Sequence, residues 1–241
     1  MEWRDEGAVL SMRPHGESAA IIEVFTREHG RHAGVVRGGT SRRMAPHVQP
    51  GTQVAVVWTA RLAEHIGAYT LEPIRSRAHV LGDRLALAGL SSICALLSLA
   101  LPERDPHEAL WQRSTAMLDR LGAAGWLRDY LAWEMQLLEA MGFGLDLSSC
   151  AVTGGTGDLV YVSPKTGRAV SRAGAGEWAE RLLPLPEGMV SGAAMTAEAI
   201  RQGLKITGHF LDRALSGEAM QHSLPEARGR LIDLLNRDAV A

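Results

Sequence analysis

The spacing of hydrophobic residues changes once along the chain, close to residue 80. Before this point, hydrophobic and polar residues alternate in short runs separated by Gly and Pro, which is the pattern of half-buried β-strands. After it, hydrophobic residues recur every three or four positions, as in amphipathic helices. The sequence therefore predicts a multi-domain α+β protein, with a β domain over residues 1–79 and a mainly α-helical domain over residues 80–241.

Five strands are predicted in the N-terminal part. They cover residues 7–12, 18–26, 31–37, 53–59 and 68–74. Residues 13–17, which include a Pro and a Gly, are predicted to form a loop between the first two. Closely spaced strands with Gly at the turns suit a small Greek-key barrel such as the OB-fold. An SH3-like barrel would give a similar pattern, and the alternation does not separate the two.

The helical part is predicted to contain three helices, then an irregular insert at about residues 144–190, then two further helices. Asp83 is placed to cap the first helix, and Pro102 to end it. The insert is rich in Gly, Ser and Thr, with one strand-like run at residues 158–163. The longest apolar run, residues 85–101, is interrupted by serines and falls short of the roughly 18 to 20 residues that span a membrane. We expect it to be a buried helix, and we expect no membrane partner.

Positive charge is concentrated in residues 30–43. The net charge of the whole chain is only −2, but residues 1–80 hold ten Arg against eight Asp or Glu. The concentrated stretch contains Arg31, Arg37, Arg42 and Arg43. The planar guanidinium suits phosphate recognition, and the two glycines after the strand would let backbone N–H groups approach an anion. An anionic partner is the first hypothesis, and an ordinary solvated strand end and loop is the alternative.

The third strand decides whether these arginines can act together. Strict alternation places Arg31 and Arg37 on one face, provided that no bulge lies between them. Arg13 and Arg61 would extend the basic surface. Phe25 falls within the predicted barrel and is a candidate for stacking on a base. A place in the core is the alternative, because barrel interiors also use aromatic side chains.

The sequence contains no recognisable catalytic constellation. It has no G-x-S-x-G motif, and the Gly-rich run at residues 153–158 lacks the Lys-Ser/Thr ending of a phosphate loop. The two cysteines, Cys94 and Cys150, are far apart, which predicts a reducing compartment. Charged residues at the N-terminus argue against a signal peptide. We expect a protein that is not an enzyme; an enzyme that acts on a phosphorylated substrate through the Arg cluster and a nearby His is the alternative.

Six short motifs, spread over almost the whole chain, carry a family resemblance. Three lie in the N-terminal part: GAVLSMRPHGE at residues 7–17, FTREHGR at 25–31 and VRGG at 36–39. Three lie later: LEAMGF at residues 138–143, CAVTG at 150–154 and LPEAR at 224–228. In this order and spacing they resemble the RecO family of bacterial DNA repair and recombination mediator proteins.

The resemblance implies an N-terminal OB-fold, a helical C-terminal domain, and a cytoplasmic, nucleoid-associated protein. It also implies binding of single- and double-stranded DNA and annealing of complementary strands. Members of the family work with RecR to load RecA onto DNA coated by single-stranded DNA-binding protein, whose acidic C-terminal tail the helical domain recognises. An adaptor whose barrel contacts only partner proteins, and no DNA, is the alternative.

The candidate site residues rest on two kinds of support. Arg13, Arg31 and Arg37 lie at matched motif positions, whereas Arg42, Arg43, Arg61 and Phe25 rest on residue type and location alone. For the acidic tail, the candidates are cations near apolar helix faces, since a carboxylate and an aromatic side chain need adjacent cationic and apolar sites. These candidates are Arg113, Arg120 and Arg128.

One departure from the family pattern concerns zinc. The resemblance implies that many members carry a four-cysteine zinc module in the insert. In this chain only Cys150 remains, Thr153 stands at the second ligand position, and no cysteine lies near Ser171. We therefore expect no metal and no other cofactor, and an insert held together by packing.

Overall fold

The computed structural model describes residues 1–62, 65–217 and 220–237. Contacts divide the chain into two compact units, one formed by Met1–Ala123 with Pro225–Leu231 and the other by Ala124–Leu224 with the residues from Ile232 onwards. None of the described helices is both long and apolar enough to cross a membrane. The division into domains at residues 79/80 stays a prediction.

The first unit is built on a closed barrel of five strands. These are β1 (Glu2–His15), β2 (Ala19–Thr26), β3 (Gly30–Val36), β4 (Gln53–Thr59) and β5 (Gly67–Arg75). Their spatial order is β1-β2-β3-β5-β4, and β4 returns to pair with β1. Neighbouring strands are antiparallel except β3 and β5, which are parallel. This arrangement confirms the five predicted strands and the OB-fold barrel.

β1 is longer than the sequence predicted, at both ends. The predicted loop at residues 13–17 is wrong for its first three residues, because Arg13, Pro14 and His15 are still paired with β2. The turn itself is confined to residues 16–18, where Gly16 takes a φ of 61°. The first residues of β1 were missed because their partner, β4, lies some fifty positions away in the sequence. At the other end, pairing with β2 across the hairpin has overridden the turn chemistry of Pro14.

Two glycines make room for the large side chains inside the barrel. A Cβ on Gly34 would lie 2.5 Å from the ring of Tyr69, and a Cβ on Gly67 would lie 2.2 Å from the ring of Trp58. Both aromatic side chains are at most 4% exposed. The Trp58 indole N–H donates to the backbone oxygen of Ala33, at 3.2 Å. The barrel core is thus packed around aromatic rings that only glycine positions can accommodate.

Helix α1 (Arg84–Ala100) follows a 3₁₀ turn at Ala78–Gly82 and packs on the barrel. As predicted, the Asp83 carboxylate caps it, accepting from the N–H groups of Leu85 and Ala86. The Cys94 thiol approaches the backbone oxygen of Val9 on β1, at 3.9 Å. This buried contact fits the inert, packed role expected of a cysteine in an apolar helix.

Helix α2 (Glu108–Arg120) is tied to the barrel by one buried arginine. Arg77 is 3% exposed, and its guanidinium forms an ion pair with Asp119 of α2, at 2.7 Å. It also donates to the backbone oxygen of Gly51 and to the side chain of Gln53. Removing one partner would leave a buried charge uncompensated, which costs several kcal/mol in comparable cases. Arg77 therefore has a structural role.

The second unit contains two long helices and the insert. Helices α3 (Trp126–Ala140) and α6 (Ala197–Ser216) pack closely, because Gly203 lies against the side chain of Leu131. Thr207 of α6 donates a hydrogen bond to the buried carboxylate of Glu134 on α3. The final helix, α7, spans Glu226–Arg237.

The insert is more regular than the sequence predicted. It forms a three-stranded sheet of β6 (Leu159–Val162), β7 (Ala169–Ser171) and β8 (Leu183–Pro184), in the order β7-β6-β8. A 3₁₀ turn at Gly176–Arg181 and two short helices, α4 (Arg172–Ala175) and α5 (Glu187–Ser191), complete it. Strands of two to four residues carry too few positions for alternation to be recognised in the sequence.

Acidification is expected to destabilise the barrel through His32. This inward side chain is 7% exposed, and its Nδ1 has no hydrogen-bond partner among the described residues. Burial, together with the positive Arg104 and His29, lowers the pKa of His32 to about 4, although Asp5 acts in the opposite direction. Since the folded state prefers the neutral ring, this stabilisation is complete above the ordinary pKa of about 6.5 and is lost as the pH falls through about 4.

The measurement is the free energy of unfolding as a function of pH, for the wild type and for His32→Phe. The wild type should lose about 3 kcal/mol more than the variant between pH 7 and pH 4, because each pKa unit corresponds to about 1.4 kcal/mol. Parallel curves for the two proteins would show that His32 does not titrate in this way.

Candidate nucleic-acid interface

A β-bulge in β1 decides which of its side chains face outwards. The register between β1 and β2 shifts between Val9 and Ser11, where one extra residue is accommodated. Beyond the bulge, Arg13 lies opposite Ile21, and His15 follows two positions later on the same face. A shift of one residue moves every later side chain to the other face of a strand. The bulge thus turns Arg13 and His15 to the outside of the barrel, where both are exposed.

β3, in contrast, keeps strict alternation. Its pairing with β2 shows no register shift along its whole length. Every second residue is buried, and Arg31, Ala33 and Val35 occupy the outward positions. Arg37 follows immediately after the strand and is exposed. The alternation predicted for this strand is confirmed.

The pairings bring the ends of β1 and β3 to the same end of the barrel. Ile21 of β2 pairs with Arg13 on one side and with Val35 on the other. His15 and Arg37 lie two positions further along their strands, in the same direction. Because neighbouring strands are about 4.8 Å apart, the backbones that carry His15 and Arg37 are separated by about 10 Å.

The loop after β3 adds two further arginines at this end. Gly38 takes a φ of 66°, which glycine adopts without strain, and the chain turns sharply. The N–H of Thr40 then donates to the backbone oxygen of Ser18, at 3.1 Å, and this bond ties the loop to the β1–β2 turn. Arg42 and Arg43 follow, and both are exposed.

Together these side chains form a surface that we call the basic rim: Arg13, His15, Arg37, Arg42 and Arg43. Within the part of the chain that the structure describes, none of its four arginines makes an ion pair. Glu17, in the turn between β1 and β2, is an exposed carboxylate at this end of the barrel. The arginines outnumber that acid four to one, so the basic rim offers a net positive surface to an anion.

Two of the residues predicted to bind DNA, Arg31 and Phe25, do not belong to the basic rim. Arg31 is paired with Glu23 at 2.6 Å and donates to the backbone oxygen of Leu101, with a side chain only 15% exposed. Glu23 also accepts from Ser98 of α1. Phe25, on the same strand as Glu23, is 1% exposed. We therefore assign Arg31 to holding α1 on the barrel, and we remove Phe25 from the interface because a base could not reach its ring.

Arg61 is exposed but is not brought to the basic rim. It lies two residues beyond Thr59, the last residue of β4, which pairs with Ala68 of β5. β4 runs antiparallel to β5, whereas β3 runs parallel to it. The chain therefore leaves the barrel at Arg61 in the direction opposite to that at Arg37.

The three arginines proposed for the acidic tail fall in two different units. Arg113 and Arg120 lie on α2 in the first unit, and Arg128 lies on α3 in the second. Arg128 lines a groove of about 570 Å³, together with Leu131, Met135, Met189 and Met195. Its guanidinium donates to the backbone oxygen of Gly192. Of the three, Arg128 stands beside apolar side chains in one groove, which Glu139 and Asp146 also line.

Sequence reasoning missed His15. The residue was assigned to a loop, so the sequence did not predict that it lies beside Arg13 on the same face of a strand. The missing signal is the bulge, which no local pattern in residues 7–15 reveals, because bulges adjust the fit between two strands.

The residues around Cys150 do not fit a zinc ion. A structural zinc takes four sulfur or nitrogen ligands in a tetrahedron. Here the Cys150 sulfur accepts from the N–H and hydroxyl of Ser171, at 3.2 and 3.3 Å, and from the N–H of Thr153, at 3.4 Å. Among the described residues, no three His, Cys, Asp or Glu side chains cluster to hold a metal. The Cys150 sulfur is thus surrounded by hydrogen-bond donors rather than by further metal ligands.

These hydrogen bonds also favour the charged form of the sulfur. The hydroxyl of Ser171 makes the largest contribution, followed by its N–H, and together with Thr153 they lower the pKa of Cys150 to about 6. The Ser171 hydroxyl is in turn held by the N–H of Gly174. Cys150 is 1% exposed, so this network lies inside the insert.

The fold and the basic rim define a class of protein: an OB-fold protein with an exposed cationic surface and an appended helical region. Comparison with known families gives the particular family. Residues 1–77 match the family model described as "Recombination protein O N terminal", and residues 81–223 match "Recombination protein O C terminal". The chain belongs to the RecO family, as its motifs predicted.

Curated relatives support this over the full length. "DNA repair protein RecO" of Cereibacter sphaeroides is 63% identical over 237 residues, which cover 98% of this chain and 99% of the relative. The protein of the same name from Ruegeria sp. is 57% identical over 239 residues, covering 98% and 99%. That from Jannaschia sp. is 56% identical over 241 residues, covering 100% and 98%.

We expect the insert to be stable without metal and to depend on the hydroxyl of Ser171. A chelator such as EDTA should leave the melting temperature unchanged, and elemental analysis should find no stoichiometric zinc. Ser171→Ala should lower the melting temperature, because it removes one donor to Cys150 and the acceptor of the Gly174 N–H. Thr156→Ala, at an exposed position of the same insert, is the control. A drop in melting temperature with the chelator would contradict the expectation.

Proposed function

We propose that this protein is a non-enzymatic DNA repair and recombination mediator that binds DNA through the basic rim. The observation that carries the proposal is the exposure of four arginines, without ion pairs among the described residues, at one end of an OB-fold barrel. Such side chains contact phosphates, which position a protein on DNA without reading its sequence. Binding that is independent of sequence suits a general repair factor.

The same surface accounts for single-stranded and double-stranded DNA as ligands. Both carry phosphates, and arginine can form two parallel hydrogen bonds to each. Annealing follows from holding two polyanions close together while their base edges stay free to pair. Family membership supports the further steps of the proposal, in which the protein acts with RecR to load RecA onto DNA coated by single-stranded DNA-binding protein.

For the acidic tail of that partner, we assign the groove beside Arg128. The groove joins one guanidinium to the apolar surface of Leu131, Met135 and Met189. A carboxylate can pair with the arginine while an adjacent apolar side chain enters the groove. Methionines adapt their shape to such side chains, because their thioethers are flexible and polarisable.

Binding to single-stranded DNA should depend strongly on salt. If the four arginines of the basic rim contact phosphates, a plot of log affinity against log salt concentration should have a slope of about −3, from roughly −0.7 per contact. Arg37→Ala should lower the affinity at low salt and reduce the slope by about 0.7. Fluorescence anisotropy with a labelled oligonucleotide measures both quantities.

Arg4→Ala is the matched control, because Arg4 is also exposed on a barrel strand but lies at the other end of β1. It should leave the slope unchanged. A slope near zero in the wild type would reject DNA binding by this surface and favour the adaptor alternative. Annealing of strands coated with single-stranded DNA-binding protein, compared between the wild type and Arg13→Ala/Arg37→Ala, extends the same test to function.

Binding of the acidic tail should depend on Arg128 more than on Arg113 or Arg120. Arg128→Ala should weaken binding of a peptide with the sequence of the tail about tenfold, the order expected for a lost hydrogen bond between charged groups. Arg113→Ala and Arg120→Ala are the comparison variants and should change the affinity less than twofold. Isothermal titration calorimetry gives the affinities, and equal effects of all three variants would contradict the assignment.

A further inference from the structure

In the barrel, β3 and β5 have the shortest pairing of any two neighbouring strands. The two strands share only two residue pairs, Gly34 with Gly67 and Val35 with Ala68. β3 then ends and the chain turns away, while β5 continues to Arg75 and pairs only with β4 among the described strands. From Tyr69 onwards, β5 therefore has an edge that β3 does not cover.

A crevice of about 350 Å³ opens beside this edge. It is lined by Met44 from the loop after β3, by Ala68 and Thr70 from β5, and by Thr59 from β4. Arg37 of the basic rim stands at the same crevice. The crevice thus adjoins the surface to which we assign phosphate binding.

The size and chemistry of the crevice suit one nucleobase. Pockets for small molecules start at about 300 Å³, so the space admits one base but no longer segment. The thioether of Met44 offers a polarisable contact for an aromatic ring. The exposed hydroxyls of Thr59 and Thr70 can each donate and accept a hydrogen bond, so they can meet the edge of any base.

We propose that this crevice takes an unpaired base of single-stranded DNA while the neighbouring phosphate contacts Arg37. This inference rests on the proposed function and adds a preference for single strands to it. A base in a duplex is stacked and paired, and it would have to be flipped out at a cost of a few kcal/mol before it could enter. Single strands therefore gain a contact that duplex DNA lacks.

The surroundings favour a base over an added peptide strand. β5 carries Pro73 beyond the crevice, and proline on an edge strand discourages the addition of another strand. Arg37 at the crevice also favours a polymer with a negative backbone. A peptide that competed with DNA for this crevice would count against the proposal.

The first test uses the wild-type protein and two oligonucleotides of equal length, one of thymidines and one of abasic sugar-phosphates. The abasic strand keeps every phosphate and removes every base. We expect it to bind about five- to tenfold more weakly than the thymidine strand, the order of loss when one base gives up its contacts. Equal binding of the two strands would overturn the proposal and leave phosphate binding by the basic rim intact.

The second test fills the crevice. Ala68→Ile adds volume at an outward strand position where β-branched residues are well tolerated, and Ala55→Ile makes the same change on the outer face of β4 as a control. Ala68→Ile should weaken binding to the thymidine strand about fivefold and leave duplex affinity within about twofold. It should also bind the thymidine and abasic strands almost equally, whereas Ala55→Ile should behave like the wild type.

The outcomes separate the two proposals. If Arg37→Ala changes neither single-strand nor duplex binding, the basic rim is not the DNA site and the proposed function fails. If Arg37→Ala weakens both but Ala68→Ile affects neither, only the crevice proposal fails. Thermal unfolding of both isoleucine variants checks that the barrel is folded, and the abasic comparison on the wild type does not depend on any variant.

Discussion

The barrel depends on the double pairing of β1. Its first half pairs with β4 and its second half with β2, so a single strand closes the sheet on itself. A strand that serves two partners must change direction between them, and the bulge between Val9 and Ser11 lies close to that change. The bulge that allows closure also turns Arg13 and His15 outwards. Closure of the fold and the composition of the basic rim are therefore consequences of the same local irregularity.

The arginines of the N-terminal part serve two different purposes. Arg31 and Arg77 are buried or nearly buried, each paired with a carboxylate, and they fasten helices to the barrel. The arginines of the basic rim are exposed, and among the described residues they form no ion pair with a carboxylate. Burial requires the pairing of Arg31 and Arg77, because a buried guanidinium is stable only when it is paired and hydrogen-bonded. Positive charge in the sequence is thus a poor guide to which residues meet an anion.

Hydrogen bonds and packing hold the insert together around Cys150. Cys150 lies where the family resemblance places a metal ligand, and Thr153 and Ser171 approach its sulfur through hydrogen bonds. Hydroxyl and N–H groups donate hydrogen bonds to the sulfur, whereas a structural zinc would need further sulfur or nitrogen ligands beside it. The small sheet of the insert is then held by its own hydrogen bonds and by packing around Val170 and Ala175.

The sequence by itself determined the five strands of the barrel, the long helices, their order and the family. These follow from periods of two and 3.6 residues and from caps such as Asp83, which are local properties. Only the tertiary structure decided which arginines are available. The bulge in β1, the hydrogen bond from Arg31 to the backbone of Leu101, and the crevice beside Arg37 all arise from contacts between residues distant in the sequence. Such contacts leave no periodic trace in a single chain, because they depend on how separate elements fit together.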